Sequence, residues 1–181
     1  MAIDASAVTD IFERLGSALQ KPTMLCLIGS TPGIASGQAE RQTPYMDVWL
    51  AASDFDTGDL SKACRDAGIL FDPKGEIDPE QIYLQVVRPG IVRLPGDFVP
   101  EVIGKFGNLT VAMPPPEYIA AAKLVRGTEV DIDDVVWWVR QRGLDATDIE
   151  QAIEKLPNER DRETAIENMT FVQLIMGRDW S

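Results

Sequence analysis

Asp47 is the residue whose setting says most about chemistry. It lies in Arg41-Gln-Thr-Pro-Tyr-Met-Asp47-Val-Trp-Leu50, downstream of an apolar run, Met24–Ile28, that ends in Gly29-Ser30. Side chains alternate across a strand, so Tyr45, Asp47 and Trp49 share one face and Met46, Val48 and Leu50 the other. The same alternation is why an Asp-x-Asp pair works: both carboxylates reach one side, where they can bind two Mg²⁺ ions about 4 Å apart and steady the attacking and leaving oxygens of phosphoryl transfer. Here Tyr45 occupies the first acid position and Asp47 is the surviving acid. One carboxylate holds two hard cations poorly, because each needs several oxygen ligands. A polar residue on the wet side of a strand is the plain alternative for Asp47.

Other groups bear on the same chemistry. Gly29 and Ser30 could bring backbone N–H groups and a hydroxyl close to a phosphate. The pair could equally be a turn, and Arg41 and Thr43 downstream give the phosphate reading its weight. Asp54-Phe-Asp56 is a displaced acid pair by spacing, but Asp at that place is expected to cap the following helix. A second cluster lies in Glu117–Asp134. Lys123 and Arg126 are three apart and share a helix face; they could hold a triphosphate or an acidic partner. The alternative is a Lys–Asp or Arg–Asp bridge to Asp131 and Asp134 on the next helix, where Asp131 and Asp133 could also serve as caps. Trp137-Trp138 reads as core packing or as an oligomer surface.

Composition limits these readings. The chain has 181 residues, 45% hydrophobic and 25% charged, which suits one domain or one domain with a helical appendage. Its net charge of −12 disfavours nucleic acid, which needs a basic face, and leaves a protein partner with a basic surface open. There is no histidine, so triads, His-based acid–base catalysis and His-ligated zinc are excluded together. Cys26 and Cys64 read as small core residues rather than a disulfide. No signal segment is visible and no apolar run approaches the roughly 20 residues of a membrane helix, so the cytoplasm is expected and a membrane is not.

The elements that must position these groups follow from periodicity. Apolar residues at Val8, Ile11, Phe12, Leu15 and Leu19 predict a helix over 5–19. Strands are expected at 24–28, 46–52, 69–71, 82–87, 91–94 and 109–113, with a loop or poorly formed helix over 31–43 and a helix over 59–67. Beyond Pro114-Pro115-Pro116 everything reads helical: 117–126, 133–142, 147–155 and 160–176. Sheet first and helices second is the order of an α+β fold. The expected division is a core over 1–116 and a helical C-terminal region over 117–181.

Apolar strand, Gly-Ser, Arg-x-Thr, degenerate Asp-x-Asp, Leu-Thr-Val-Ala-Met-Pro-Pro-Pro-Glu-Tyr and Lys-Leu-x-x-Arg with Asp-x-x-Asp together resemble the bacterial nucleotidyltransferase-like proteins of the polymerase-β superfamily. Within it the chain looks most like the small uncharacterised or toxin–antitoxin-associated branch, over about residues 8 to 142. The resemblance implies a mixed β-sheet flanked by helices, then a helical region. It implies Mg²⁺ and a nucleoside triphosphate as ancestral ligands, with Gly29 and Ser30 facing phosphates, Asp47 as metal ligand and Lys123 approaching the phosphates. The departures are Tyr45, the Thr31-Pro-Gly segment, and Gln85 where a third carboxylate belongs. The expectation is a binding or regulatory, antitoxin-like module with an impaired site. One alternative is an active Mg²⁺-dependent enzyme that moves a nucleotide onto a protein or RNA hydroxyl, with Asp54 or Asp56 recruited. Another is a structural homo-oligomer built on Trp137, Trp138 or the C-terminal helix ending at Trp180.

Overall fold

The computed structural model describes residues 2–75, 77, 78, 80–177 and 180. The fold is α+β: a six-stranded mixed sheet and, among the described residues, seven α-helices. The chain divides into two compact units, one of residues 1–89 and 100–113 and one of 90–99 and 114–181. The break at 113/114 lies at the proline run, while residues 90–99 belong with the helices.

The first unit holds α1 (Ala5–Ala18), β1 (Thr23–Ile28), α2 (Thr31–Ala35), β2 (Tyr45–Trp49), α3 (Thr57–Asp66), β3 (Leu70–Phe71), β4 (Tyr83–Val87), β5 (Glu101–Phe106) and β6 (Leu109–Met113). Helix α1 starts where the Asp4 carboxylate accepts from the Ser6 and Ala7 amides, each at 2.9 Å. It buries Val8, Ile11, Phe12 and Leu15, the helical stripe expected from the sequence. Strand order is β3-β4-β2-β1-β6-β5. β2 runs antiparallel to β1 and parallel to β4, and β1 runs parallel to β6. Leu25, Leu27, Met46, Val48, Leu84 and Val111 point into one core with α1 and α3. Gly16 lets α1 touch the β5–β6 hairpin: a Cβ there would stand 1.7 Å from the Phe106 carbonyl oxygen.

The second unit holds α4 (Pro116–Arg126), α5 (Glu129–Arg142), α6 (Ala146–Glu154) and α7 (Glu159–Met176). Proline at its first position suits α4, since that N–H has no helical partner anyway. Asp145 and Asp148 form a reciprocal capping box on α6. Ala120, Leu124, Val135, Val139, Ile149, Ile153, Ala165, Met169 and Val172 make the core. No described helix is long and apolar enough to cross a membrane.

Three expectations about elements change. Residues 91–94 form no strand; Leu94 is buried in a loop of the helical unit. β5 was not expected at all. The strand expected over 46–52 stops at Trp49, where 50–52 form a 3-10 turn with Leu50 exposed; the 31–43 segment holds the short helix α2 within a loop, in line with its composition.

Candidate functional site

Strand pairing gathers the sequence-derived candidates of the first unit around the end of β1. In register, Ile28 pairs with Asp47 of β2, and Asp47 pairs with Gln85 of β4. The chain then turns at Gly29, whose φ of +74° is a left-handed conformation that favours glycine. Glycine is also required by space, because a Cβ there would lie 2.9 Å from Asp47 Oδ2. The Asp47 carboxylate is therefore packed against the Gly29-Ser30 turn.

Arg41 arrives from the loop after α2. Its Nη2 donates to Ser30 Oγ at 2.7 Å and its Nη1 to the Gln42 carbonyl at 3.3 Å. The loop is anchored on both sides: the Arg41 amide donates to the Gln38 carbonyl at 3.2 Å, and Thr43 exchanges backbone hydrogen bonds with Ile3. Thr43 is buried, and its hydroxyl, like that of Thr31, donates to the Tyr45 carbonyl at 3.3 Å. These two hydroxyls fix the start of β2.

Tyr45 stacks on Tyr83 of β4, its register partner, with ring centroids 5.2 Å apart. Burial, then Tyr45, then the Asp47 charge push the Tyr83 hydroxyl above its usual range. Tyr83 thus faces the same site, a role the sequence reading missed. The alternation of β4 carries the signal, because it puts Tyr83 on the same face as Gln85. The half-open face around Asp47 is consequently made of Tyr45, Tyr83 and Gln85, all neutral. That donor set does not fit a two-metal centre, which needs several anionic oxygens. Among the described residues, no three carboxylate, thiol or imidazole side chains come together to hold a metal ion.

The displaced pair Asp54-Phe-Asp56 lies by the start of β1 and of α3, not at the Gly29-Ser30 turn. Asp56 caps α3, accepting from the Asp59 amide at 2.9 Å, and pairs with Lys21 at 2.5 Å. Asp54 bridges by backbone to Met24. Cys26 and Cys64 are free thiols in the core, each pushed up to about 12 by burial.

In the second unit, Lys123, Arg126, Asp131 and Asp134 do come together. The Lys123 ammonium, 4% exposed, lies 2.6 Å from Asp134 Oδ2 and 3.7 Å from Asp131 Oδ1. Arg126 Nη2 also reaches Asp131, whose second oxygen accepts from the Thr128 hydroxyl at 2.7 Å. This is the bridge between successive helices, α4 to α5, with Thr128 as the α5 cap. Trp138 is buried, Trp137 packs edge-on against it with centroids 4.8 Å apart, and the Trp180 indole donates to the Leu144 carbonyl at 2.8 Å.

Comparison with protein-family models, with curated proteins and with solved structures finds no match for this chain.

Proposed function

We propose that this chain is a nucleotidyltransferase-fold protein with a degenerate metal site, acting as a binding or regulatory module of the antitoxin-like kind. One observation carries the reading. Asp47 packs against a Gly-Ser turn at the end of β1, between strands related as antiparallel on one side and parallel on the other, while its register partner is Gln85. Carboxylate beside a Gly-Ser turn is what a metal–triphosphate site would need. Tyrosine at 45 and glutamine at 85 leave that site with one acid. The net charge of −12 supports a partner whose contact surface is basic.

Calorimetric titration of ATP, GTP, CTP and UTP, each with and without Mg²⁺, tests the reading. The expected result is no Mg²⁺-dependent binding at millimolar nucleotide. Micromolar, metal-dependent binding of one nucleotide would instead support the active-enzyme reading and would call for a search for an acceptor hydroxyl. The antitoxin-like role is tested by co-expression with the product of the neighbouring gene. Rescue of growth supports the role, and unrelieved toxicity or a harmless neighbour counts against it.

A further inference from the structure

We infer that the Arg41 guanidinium is the resident cation of the Asp47 site, standing where a metal ion would have to bind. The inference rests on the degenerate-site reading and explains what replaces the metal. Its basis is local geometry. The Asp47 carboxylate lies against Gly29, 2.9 Å from where a Cβ would be, and the next residue, Ser30, has its hydroxyl bound by Arg41 Nη2 at 2.7 Å. A guanidinium can only donate, so Ser30 Oγ is used as an acceptor toward Arg41. The guanidinium and the carboxylate thus meet the same two-residue turn, one through Ser30 and one through Gly29.

Arginine suits this placement. Its guanidinium is a delocalised, weakly hydrated cation suited to a partly buried place. Its planar fork can serve a hydroxyl and other oxygens at once. The loop presents it rigidly, held by the Gln38 carbonyl before it and by the Ile3–Thr43 pairing after it. A divalent ion brought to Asp47 would meet the positive charge held at the same Gly29-Ser30 turn, and neighbouring like charges repel strongly where water is partly excluded. Restoring the missing acid alone therefore leaves the site blocked.

The test uses the full chain and Mn²⁺ alone as the probe, read by calorimetry, with folding checked by circular dichroism. Four proteins are compared: wild type, Tyr45→Asp, Tyr45→Asp/Arg41→Gln and Tyr45→Asp/Arg41→Lys. The Gln double variant is expected to bind Mn²⁺ at least about tenfold more tightly than Tyr45→Asp, the least that removal of one nearby charge should give. The Lys double variant, which keeps the charge, should stay close to Tyr45→Asp. Equal Mn²⁺ affinity in Tyr45→Asp and the Gln double variant, or no binding by either, would overturn the inference and leave the degenerate-site reading standing. Micromolar Mn²⁺ binding by the wild type would overturn both. If the Gln double variant does not fold, Tyr45→Asp/Arg41→Ala decides. A urea midpoint that rises with Mn²⁺ in this variant and not in Tyr45→Asp supports the inference, and no rise in either overturns it.

Discussion

Replacing Lys123 by Met should destabilise the helical unit far more than the loss of a surface lysine. Lys123 is 4% exposed and lies between two carboxylates that are also buried, Asp134 at 2.6 Å and Asp131 at 3.7 Å. Asp131 keeps Arg126 and Thr128 when Lys123 is removed, but Arg126 is 62% exposed, so its pairing is screened and weak. Asp134 loses the ammonium closest to it. Removing one partner of a buried pair costs about 3–5 kcal/mol, because the charge left behind loses its closest counter-charge in a desolvated place. For a chain of this size that corresponds to a fall in Tm of about 6–20 °C. Three of the four tryptophans lie in the helical unit, so urea unfolding followed by tryptophan fluorescence reports it directly. The double variant Lys123→Met/Asp134→Leu removes both charges and should recover much of the loss, with a coupling of roughly 2 kcal/mol. Single variants that cost under about 1 kcal/mol and add without coupling would refute the reasoning. They would mean that the ammonium is not held by these acids and is free to serve another ligand.

Other substitutions test the frame around the site. Gly16→Ala forces a methyl group against the Phe106 carbonyl, where a Cβ would stand at 1.7 Å, and backbone cannot swing aside; a loss of about 3 kcal/mol is expected by urea denaturation, and a wild-type midpoint would contradict the packing. Lys21 first, and then the Asp59 amide, hold the Asp56 carboxyl below its usual 3.8. A depressed pKa stabilises the fold above the unfolded value and stops doing so as pH falls through the folded one. Asp56→Asn should therefore lower Tm at neutral pH and lose that effect in strong acid; an equal deficit at both would count against the pairing. Both thiols, raised to about 12 by burial, should resist a thiol-specific dye in the native protein and react fully in denaturant.

Much of this architecture was legible because local signals agreed with tertiary burial. The Val8–Leu15 stripe, the apolar 24–28 run and the helical spacing after the proline run each named an element that the fold then buried, although the cap of α5 is Thr128 and not Asp131 or Asp133. Asp56 was readable as a cap for the same reason. β5 was not, since Glu101–Phe106 alternates only weakly, has Gly104 inside it and lies at the sheet edge beyond β6. Residues 91–94 have strand composition, yet the chain there belongs with the helices, where Leu94 finds its burial without pairing. At the site, β2 alternation placed Tyr45 beside Asp47 in advance. The Tyr83 stack and the Gln85 pairing depend on register between β2 and β4, which a single sequence does not encode. The Arg41–Ser30 hydrogen bond is set by the path of an irregular loop, and no periodicity announces it.

Under the proposed function, Asp47 sits in a nucleotide-site framework that does not hold a metal. Calorimetry of the four nucleoside triphosphates, with and without Mg²⁺, tests it most directly. No metal-dependent heat is expected at millimolar nucleotide. Saturable, Mg²⁺-dependent binding of any one nucleotide at micromolar concentration, lost in Asp47→Asn, would contradict it.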